Sequence, residues 1–339
     1  MLSQLDQKRS FSGRRVLVTG GLGFIGSNLV IRLAELGAKV IVIDCRLPYA
    51  GANDYNVKPV RHQVEVIIGD IANRYLLKKW AADVDIIFNL ASTLGFDSDS
   101  SVPFETQRAL CQAHSEFFNG CRNSNNKPKI FYAASVAQPG RAYKRPVFKI
   151  PALPSASRRV GVDQTATEAY HRLCWGLASD GKLSVLRLGS VYGPRHQMQH
   201  PHLAVPNWFL RRLIDGDSIL VPRSGQRFLD LLYVDDAVDA LILAALSDAT
   251  RSEAFNVSGT QIELRDLAEL IVKLNGSGKI ERAEQSKKSK QLDVARWLVS
   301  NHQVESELGW KAKTSLEKGF STTLDYYRKN QAWYWLKSE

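Results

Sequence analysis

Three glycines, Gly20, Gly23 and Gly26, and one acid, Asp44, have the types and spacing to hold a dinucleotide. Glycines let a backbone turn tightly and approach a pyrophosphate with no Cβ in the way. The residues that follow, Phe24 and Ile25 among them, open a helix whose free N–H groups and positive dipole end would face that pyrophosphate. Asp44 stands eighteen residues beyond Gly26, where a carboxylate can accept hydrogen bonds from both hydroxyls of a ribose. It would repel a 2′-phosphate, which favours NAD over NADP. Arg46 keeps the second cofactor open, because a nearby guanidinium could neutralise such a phosphate.

These residues need a strand, a turn, a helix and a second strand to hold them, and the flanking sequence supplies each. Val16-Leu17-Val18 is an apolar, β-branched run leading into Gly20. An amphipathic stretch follows, and Val40-Ile41-Val42-Ile43 ends on Asp44. That is the order of a dinucleotide-binding βαβ unit.

The same alternation continues. Val64–Ile68 reads as a strand closing on Gly69-Asp70, and Asp70 could either contact the adenine end of a cofactor or cap the helix that starts near Asn73. Asp85–Phe88 is the next strand; it runs out through Leu90 and Ala91, side chains that leave room for a cofactor to pass. Residues 103–124 form a long helical pattern beginning at Pro103, and Lys129–Ala133 is a fifth strand that delivers Ser135 to the carboxyl edge of a sheet. Residues 160–179 are helical and Leu183–Arg187 resembles a sixth strand. Beyond it come a short helix over 206–215, strands at 219–222, 228–234 and 255–257, and helices over 237–246, 263–274 and 302–308. Strands alternating with helices predict an α/β fold with a doubly wound parallel sheet. We expect residues 1–12 to be a loose tail, 13–186 plus 228–258 the dinucleotide-binding domain, and 187–227 plus 259–335 a smaller interleaved mixed α/β substrate lobe.

Composition narrows the class. The chain has 339 residues, 44% hydrophobic and 23% charged, an ordinary globular balance. No apolar run approaches the ~18 residues that span a bilayer, and the polar start lacks an apolar leader core, so a cytoplasmic protein without membrane contact is expected. Cys45, Cys111, Cys121 and Cys174 show no metal-ligand spacing, so reduced thiols and no metal are expected. The net charge of +11 suits diphosphate-bearing metabolites. Its one dense cluster, Lys287-Lys288-Ser289-Lys290, has no aromatic interleaving, so nucleic acid is not the expected partner.

Taken together, TGGLGFIG at the start, GDI at 69–71, NLAS at 89–92, RLGSVYGPR at 187–195, GQRFLDLLYVDDAVDALILA at 225–244, FNVSG at 255–259 and ELGWKAKTSLEKGF at 307–320 resemble the extended short-chain dehydrogenase/reductases, in particular the NAD-dependent nucleotide-sugar epimerase/dehydratase group. The resemblance covers about residues 14–330. It implies a Rossmann-type domain, NAD at Gly20, Gly23, Phe24, Ile25, Gly26, Asp44, Asp70, Ile71, Leu90 and Ala91, a nucleotide-sugar substrate, and a homodimer built on helices 103–124 and 160–179. It also implies transient oxidation of the sugar: a tyrosine takes a hydroxyl proton, a lysine four residues on holds the ribose and lowers the tyrosine's pKa, and a serine on the preceding strand end bonds the reacting oxygen.

Here the chain departs from the pattern. Ser135 matches the serine, but Val160 stands at the tyrosine position and Gln164 at the lysine position, and Leu110 replaces a frequent asparagine. Valine has no proton to move. Glutamine could hold a ribose hydroxyl but carries no charge to depress a pKa. The literal Tyr75-x-x-x-Lys79 lies in the wrong element, Tyr143 is a candidate replacement from a loop, and His171 reads as a structural histidine. Arg227 and Arg296 fall where the family holds diphosphate, with ion pairs to Asp230 or Asp293 as the plain alternative. Asn207 would reach a sugar nucleotide or cap a helix. The expected function is an epimerase/dehydratase-like protein with non-standard catalytic residues. A degenerate NAD- and nucleotide-sugar-binding regulatory subunit, or an enzyme with non-redox chemistry, is the alternative.

Overall fold

The β1–α2–β2 unit is built from a strand with no polar face. Val16, Leu17 and Val18 of β1 (Arg15–Thr19) are all fully buried. Val16 and Val18 enter one apolar cluster and Leu17 another, on the opposite side of the sheet. Such a run needs cover on both faces, which is the condition of a central parallel strand. The structure, a computed structural model, describes residues 4–47, 51–91, 103–121, 125–136, 166–173, 183–198, 205–222, 228–247, 254–283 and 299–335.

α1 is Gln4–Phe11, α2 Phe24–Glu35 and β2 Lys39–Asp44. β3 is Val64–Ile68, α3 Arg74–Trp80 and β4 Ile86–Asn89. α4 is Pro103–Cys121 and β5 Lys129–Ser135; α5 covers 166–173 and β6 is Leu183–Leu188. With β10 (Ala254–Val257) these strands form one seven-stranded parallel sheet in the order β10-β6-β5-β4-β1-β2-β3. The strand order reverses at β1, so the crevice for a ligand lies at the carboxyl ends of β1 and β4. α2 and α7 (Val234–Leu246) cover one face, with Leu29, Leu33, Ala237 and Leu241 in its core. α3 and α4 cover the other through Leu77, Phe117 and Cys121. This is the Rossmann-type doubly wound fold expected from the alternation.

The second lobe has its own core. β7 (Ser190–Tyr192), β9 (Phe228–Tyr233) and β11 (Thr260–Glu263) form a three-stranded sheet, and β8 (Ile219–Pro222) pairs with β12 (Ile280–Ala283). α6 (Val205–Ile214), α8 (Leu264–Asn275) and α10 (Leu316–Tyr334) pack there through Leu210, Leu267 and Phe320. α9 (His302–Leu308) instead sends Val304 and Leu308 to the large core. Among the described residues no helix is long and apolar enough to cross a membrane.

Three expectations change. Residues 4–11, expected in a loose tail, are helical, and Phe11 is fully buried in the large core. Segment 228–258 divides: α7 and β10 join the large sheet, but β9 pairs with β7 and β11 because Leu231 and Tyr233 pack into the second core. α10 extends past the last helix expected from the sequence. It buries Leu316, Phe320, Thr323, Leu324 and Tyr327, a helical i, i+4, i+7, i+8, i+11 stripe interrupted in composition by threonines and a glycine. That glycine is a packing site: a Cβ on Gly319 would lie 2.9 Å from the Tyr192 ring carbon Cζ.

Candidate functional site

The glycine turn is assembled by close backbone contacts. Gly20 adopts φ +69°, a left-handed conformation, and a Cβ there would come 2.8 Å from the Leu90 carbonyl oxygen and 2.9 Å from the Ala91 nitrogen. Leu90 N–H donates to the Thr19 carbonyl at 3.2 Å, and Ala91 N–H donates to Thr19 Oγ1 at 3.3 Å. Leu90 and Ala91 are thus held directly against Gly20. Gly26 permits α2 to start beside the turn, since a Cβ on it would lie 2.9 Å from both Gly20 C and Gly21 Cα. Gly23 is the N-cap of α2, extended, with no side chain to bond the first N–H groups. The amides of Phe24, Ile25 and Gly26 occupy the first helical turn, where no intrahelical acceptor exists. An anion is the natural acceptor at such an end.

Asp44 closes β2 next to this turn. Its Oδ2 accepts from Leu22 N–H at 3.0 Å and its Oδ1 from Arg46 N–H at 2.8 Å. Burial raises its carboxyl pKa, opposed by those two N–H groups. Each oxygen keeps a second lone pair for a ribose hydroxyl. Arg46 pairs with Asp54 at 2.8 Å, both side chains about half exposed, so its guanidinium already has a counterion. Asp70 accepts from Ala72 N–H at 2.8 Å, whereas α3 is capped by Asn73, which accepts from Tyr75 and Leu76 N–H. The capping role therefore belongs to Asn73, and Asp70 stays exposed just past the carboxyl end of β3. Ile71 is buried beneath it.

Ser135 ends β5 in register with Leu188 of β6, half-buried at the carboxyl edge. Val160, Gln164, Tyr143, Arg227 and Arg296 lie outside the described residues, as does the side chain of Leu110. Asn207 is 1% exposed and does not cap α6, which starts two residues earlier. Its Nδ2 donates to the Gly193 carbonyl at 3.0 Å, and its Oδ1 has no partner among the described residues. It braces the Gly193-Pro194 turn from inside the second core. Tyr75 stands 72% exposed on α3 under the Arg74 guanidinium, and Lys79 lies over Trp80, so that pair takes no part in the crevice.

Several polar residues of the site's framework have partners that the sequence does not show. Thr19 Oγ1 donates to Asn89 Oδ1 at 2.7 Å, and Asn89 Nδ2 donates to His171 Nε2 at 2.9 Å. His171 Nδ1 in turn donates to the Thr167 carbonyl at 2.8 Å, which assigns the tautomer. Tyr132 stacks on His171 at 4.0 Å, and Arg187 forms a two-pronged pair with Glu168 at 2.7 and 2.9 Å. Arg195, visible only as the last residue of RLGSVYGPR, donates to Asn28 Oδ1 at 2.8 Å and to the Asn56 carbonyl at 3.2 Å. It ties the start of α2 to the second lobe.

Burial pushes His171 well below the ordinary imidazole pKa, and His114 down to about 4. His171 is therefore a neutral structural group, not a base. Because the folded pKa lies below the unfolded one, these histidines favour folding least in acid. Stability is intact above about pH 6.5 and falls as pH drops toward 4. His114 alone should remove about 2 kcal/mol between pH 6.5 and 5. Urea unfolding at pH 7 and pH 5 measures the drop; His114→Gln should shrink it, and an equal drop in that variant would contradict the assignment.

The family model described as "NAD dependent epimerase/dehydratase family" matches residues 16–258. A mouse dTDP-D-glucose 4,6-dehydratase is 25% identical over 331 residues, covering 94% of this chain and 89% of that one. A UDP-N-acetyl-alpha-D-glucosaminuronate decarboxylase from Bacillus cytotoxicus is 27% identical over 278 residues, covering 78% and 81%. Among solved structures, UDP-glucose 4-epimerase from Thermotoga maritima, with UDP-glucose, aligns with a TM-score of 0.80 at 25% identity over 94% of this chain and 99% of that one. The seven-stranded sheet is accordingly shared with solved epimerase structures, and the chain belongs to the NAD dependent epimerase/dehydratase family.

Proposed function

We propose that this protein binds NAD along the carboxyl edge of the large sheet, takes a nucleoside-diphosphate sugar beside it, and performs epimerase/dehydratase-type chemistry with non-standard catalytic residues. The observation that carries the cofactor is the uncapped start of α2 over the Gly20 turn, with Asp44 at the adjoining strand end. A Cβ at Gly20 would strike the Leu90 carbonyl and the Ala91 amide, so glycine there keeps the turn closed, and the uncapped amides of the α2 start fit a pyrophosphate. Gly23, Phe24, Ile25 and Gly26 would hold the pyrophosphate and Asp44 the adenosine ribose. Asp70, Ile71, Leu90 and Ala91 would line the adenine and nicotinamide passages. NAD supplies a reversible hydride acceptor there.

The nucleotide sugar is supported by the relatives named above, whose own names carry dTDP- and UDP-linked sugars. Arg227 and Arg296 are the diphosphate ligands of this reading, and Asn207 supports the sugar side through the Gly193 turn. Ser135 would hydrogen-bond the reacting oxygen. Gln164 would hold a ribose hydroxyl, and Val160 leaves the proton to another group. Two copies would pair through α4 and the helix around 166–173, whose Leu173 is 59% exposed, in a cytoplasmic homodimer. A second reading, a regulatory subunit that binds both ligands without turnover, is favoured by the absence of a proton at Val160 and of a charge at Gln164.

Mass spectrometry of small molecules released on denaturation, with calorimetric titration of NAD, tests the proposal. We expect near-stoichiometric NAD and a nucleotide sugar. Neither molecule released, with no heat on adding NAD, would overturn it.

A further inference from the structure

The end of α10 lies across the loop that follows β2, although the two are far apart in sequence. Asn53 Nδ2 donates to the Trp333 carbonyl at 3.0 Å, and the Tyr55 hydroxyl donates to Asn330 Oδ1 at 2.5 Å. The Tyr55 and Trp333 rings stack at 4.5 Å, 9° from parallel. α10 leaves helical geometry at Asn330 (φ −122°, ψ 17°), which turns its last residues onto the loop. There the Tyr334 hydroxyl donates to Asn56 Oδ1 at 2.5 Å. A hydroxyl has one proton, so Tyr326, 2.6 Å away, donates to Tyr334 in turn.

Asn56 is fully buried and engages all its amide groups. Its Nδ2 donates to the Leu22 carbonyl at 2.9 Å and the Arg195 carbonyl at 3.3 Å. Asn53 N–H also donates to the Leu22 carbonyl, at 3.1 Å. Leu22, in the middle of the glycine turn, gives its own N–H to Asp44 Oδ2. A continuous chain of hydrogen bonds therefore runs from Tyr326 through Tyr334, Asn56 and Leu22 to the carboxylate at the end of β2. A solvent-open cavity of about 620 Å³, lined in part by Arg46, Asp54, Tyr55 and Trp333, lies beside it.

We infer that the last turn of α10 is a strap that positions the Asp44 carboxylate for the adenosine ribose, with Tyr334 and Asn56 as its positioning residues. The inference rests on the reading of the crevice as an NAD site. It makes cofactor affinity depend on a residue of the second lobe, joining the two lobes at the adenosine end. Bonded at both ends, the Leu22 residue holds one orientation, and Asp44 with it.

Tyr334→Phe removes only the hydroxyl and leaves Asn56 Oδ1 without a donor. A lost buried hydrogen bond should weaken NAD binding by about five- to tenfold. The decisive readout is the ratio of affinities for NAD and for an NAD analogue lacking the adenosine 2′-hydroxyl. Wild type should discriminate between them through Asp44, and the variant should lose most of that discrimination. The ratio is taken within one protein sample, so a fall in the folded fraction cancels. Asn53→Ala, at the half-buried rim of the strap, removes the bond to the Trp333 carbonyl and the cap on Tyr55 N–H and should reduce the ratio in part. Discrimination kept intact in Tyr334→Phe would overturn the strap while leaving the NAD site standing. Wild-type protein that binds neither dinucleotide would overturn the NAD reading itself, and the strap with it.

Discussion

Replacing Gly26 by alanine should weaken NAD binding roughly a hundredfold while leaving most of the fold in place. The new Cβ would land against the Gly20 carbonyl, 2.9 Å from both Gly20 C and Gly21 Cα. These are backbone atoms, so no rotamer change relieves the contact. Either the turn opens or α2 withdraws from it, and each movement takes the helix N-terminus away from a pyrophosphate. Overpacking of this kind costs about 3 kcal/mol, which corresponds to roughly a hundredfold in affinity when it falls on the bound conformation. Gly216→Ala is the contrasting variant. Gly216 has φ +83°, but a Cβ added to it would meet nothing within 4 Å. Alanine there strains only its own backbone, by about 1–2 kcal/mol, far from the crevice. Calorimetric titration should show NAD affinity reduced roughly a hundredfold in the first variant and kept in the second. Unaltered affinity in Gly26→Ala would mean that the turn does not carry the cofactor.

The legible part of this site is the part that is local in sequence. Gly20, Gly23, Gly26 and Asp44 fall within one βαβ unit, where apolar periodicity, glycine spacing and the terminal acid all imply the same geometry. Val16, Leu17 and Val18 announce a strand buried on both faces without reference to any distant residue. The strap is the opposite case. Asn56 meets Tyr334 across 278 positions and Arg195 across 139, and neither asparagine nor tyrosine advertises a buried partner. β9 is legible as a strand but not as a member of the smaller sheet, because an apolar run does not say which sheet receives it. α10 is hard to see because Gly319 and Thr323, poor helix formers, occupy buried positions for packing reasons: Gly319 clears Tyr192, and Thr323 Oγ1 donates to the Gly319 carbonyl at 2.6 Å. Asp70 has two roles open to it in the sequence that only geometry separates, since Asn73 three residues later takes the cap.

Joint replacement of Val160 by tyrosine and Gln164 by lysine should raise hydride transfer from a bound nucleotide sugar by about 10²–10⁴-fold over the parent chain, the usual worth of a positioned general base. The two changes depend on each other. A tyrosine alone has a pKa near 10 and stays protonated at neutral pH; a lysine alone brings a cation with no phenol to act on. Together, at the four-residue spacing that one helical face would require, they are expected to supply a phenolate to the sugar hydroxyl, with Ser135 at the end of β5 completing the constellation. Single-turnover change in nicotinamide absorbance, run on the two single variants and the pair, measures the coupling. The single variants should remain near the parent rate and the pair should exceed the product of their effects. Gain in the pair would show that the framework around Asn89, His171 and Ser135 positions a sugar for oxidation, and that these two side chains limit hydride transfer in the parent. A pair that stays silent with both ligands bound would show that the crevice holds its sugar away from the nicotinamide. The regulatory reading would then describe this chain better than the enzymatic one.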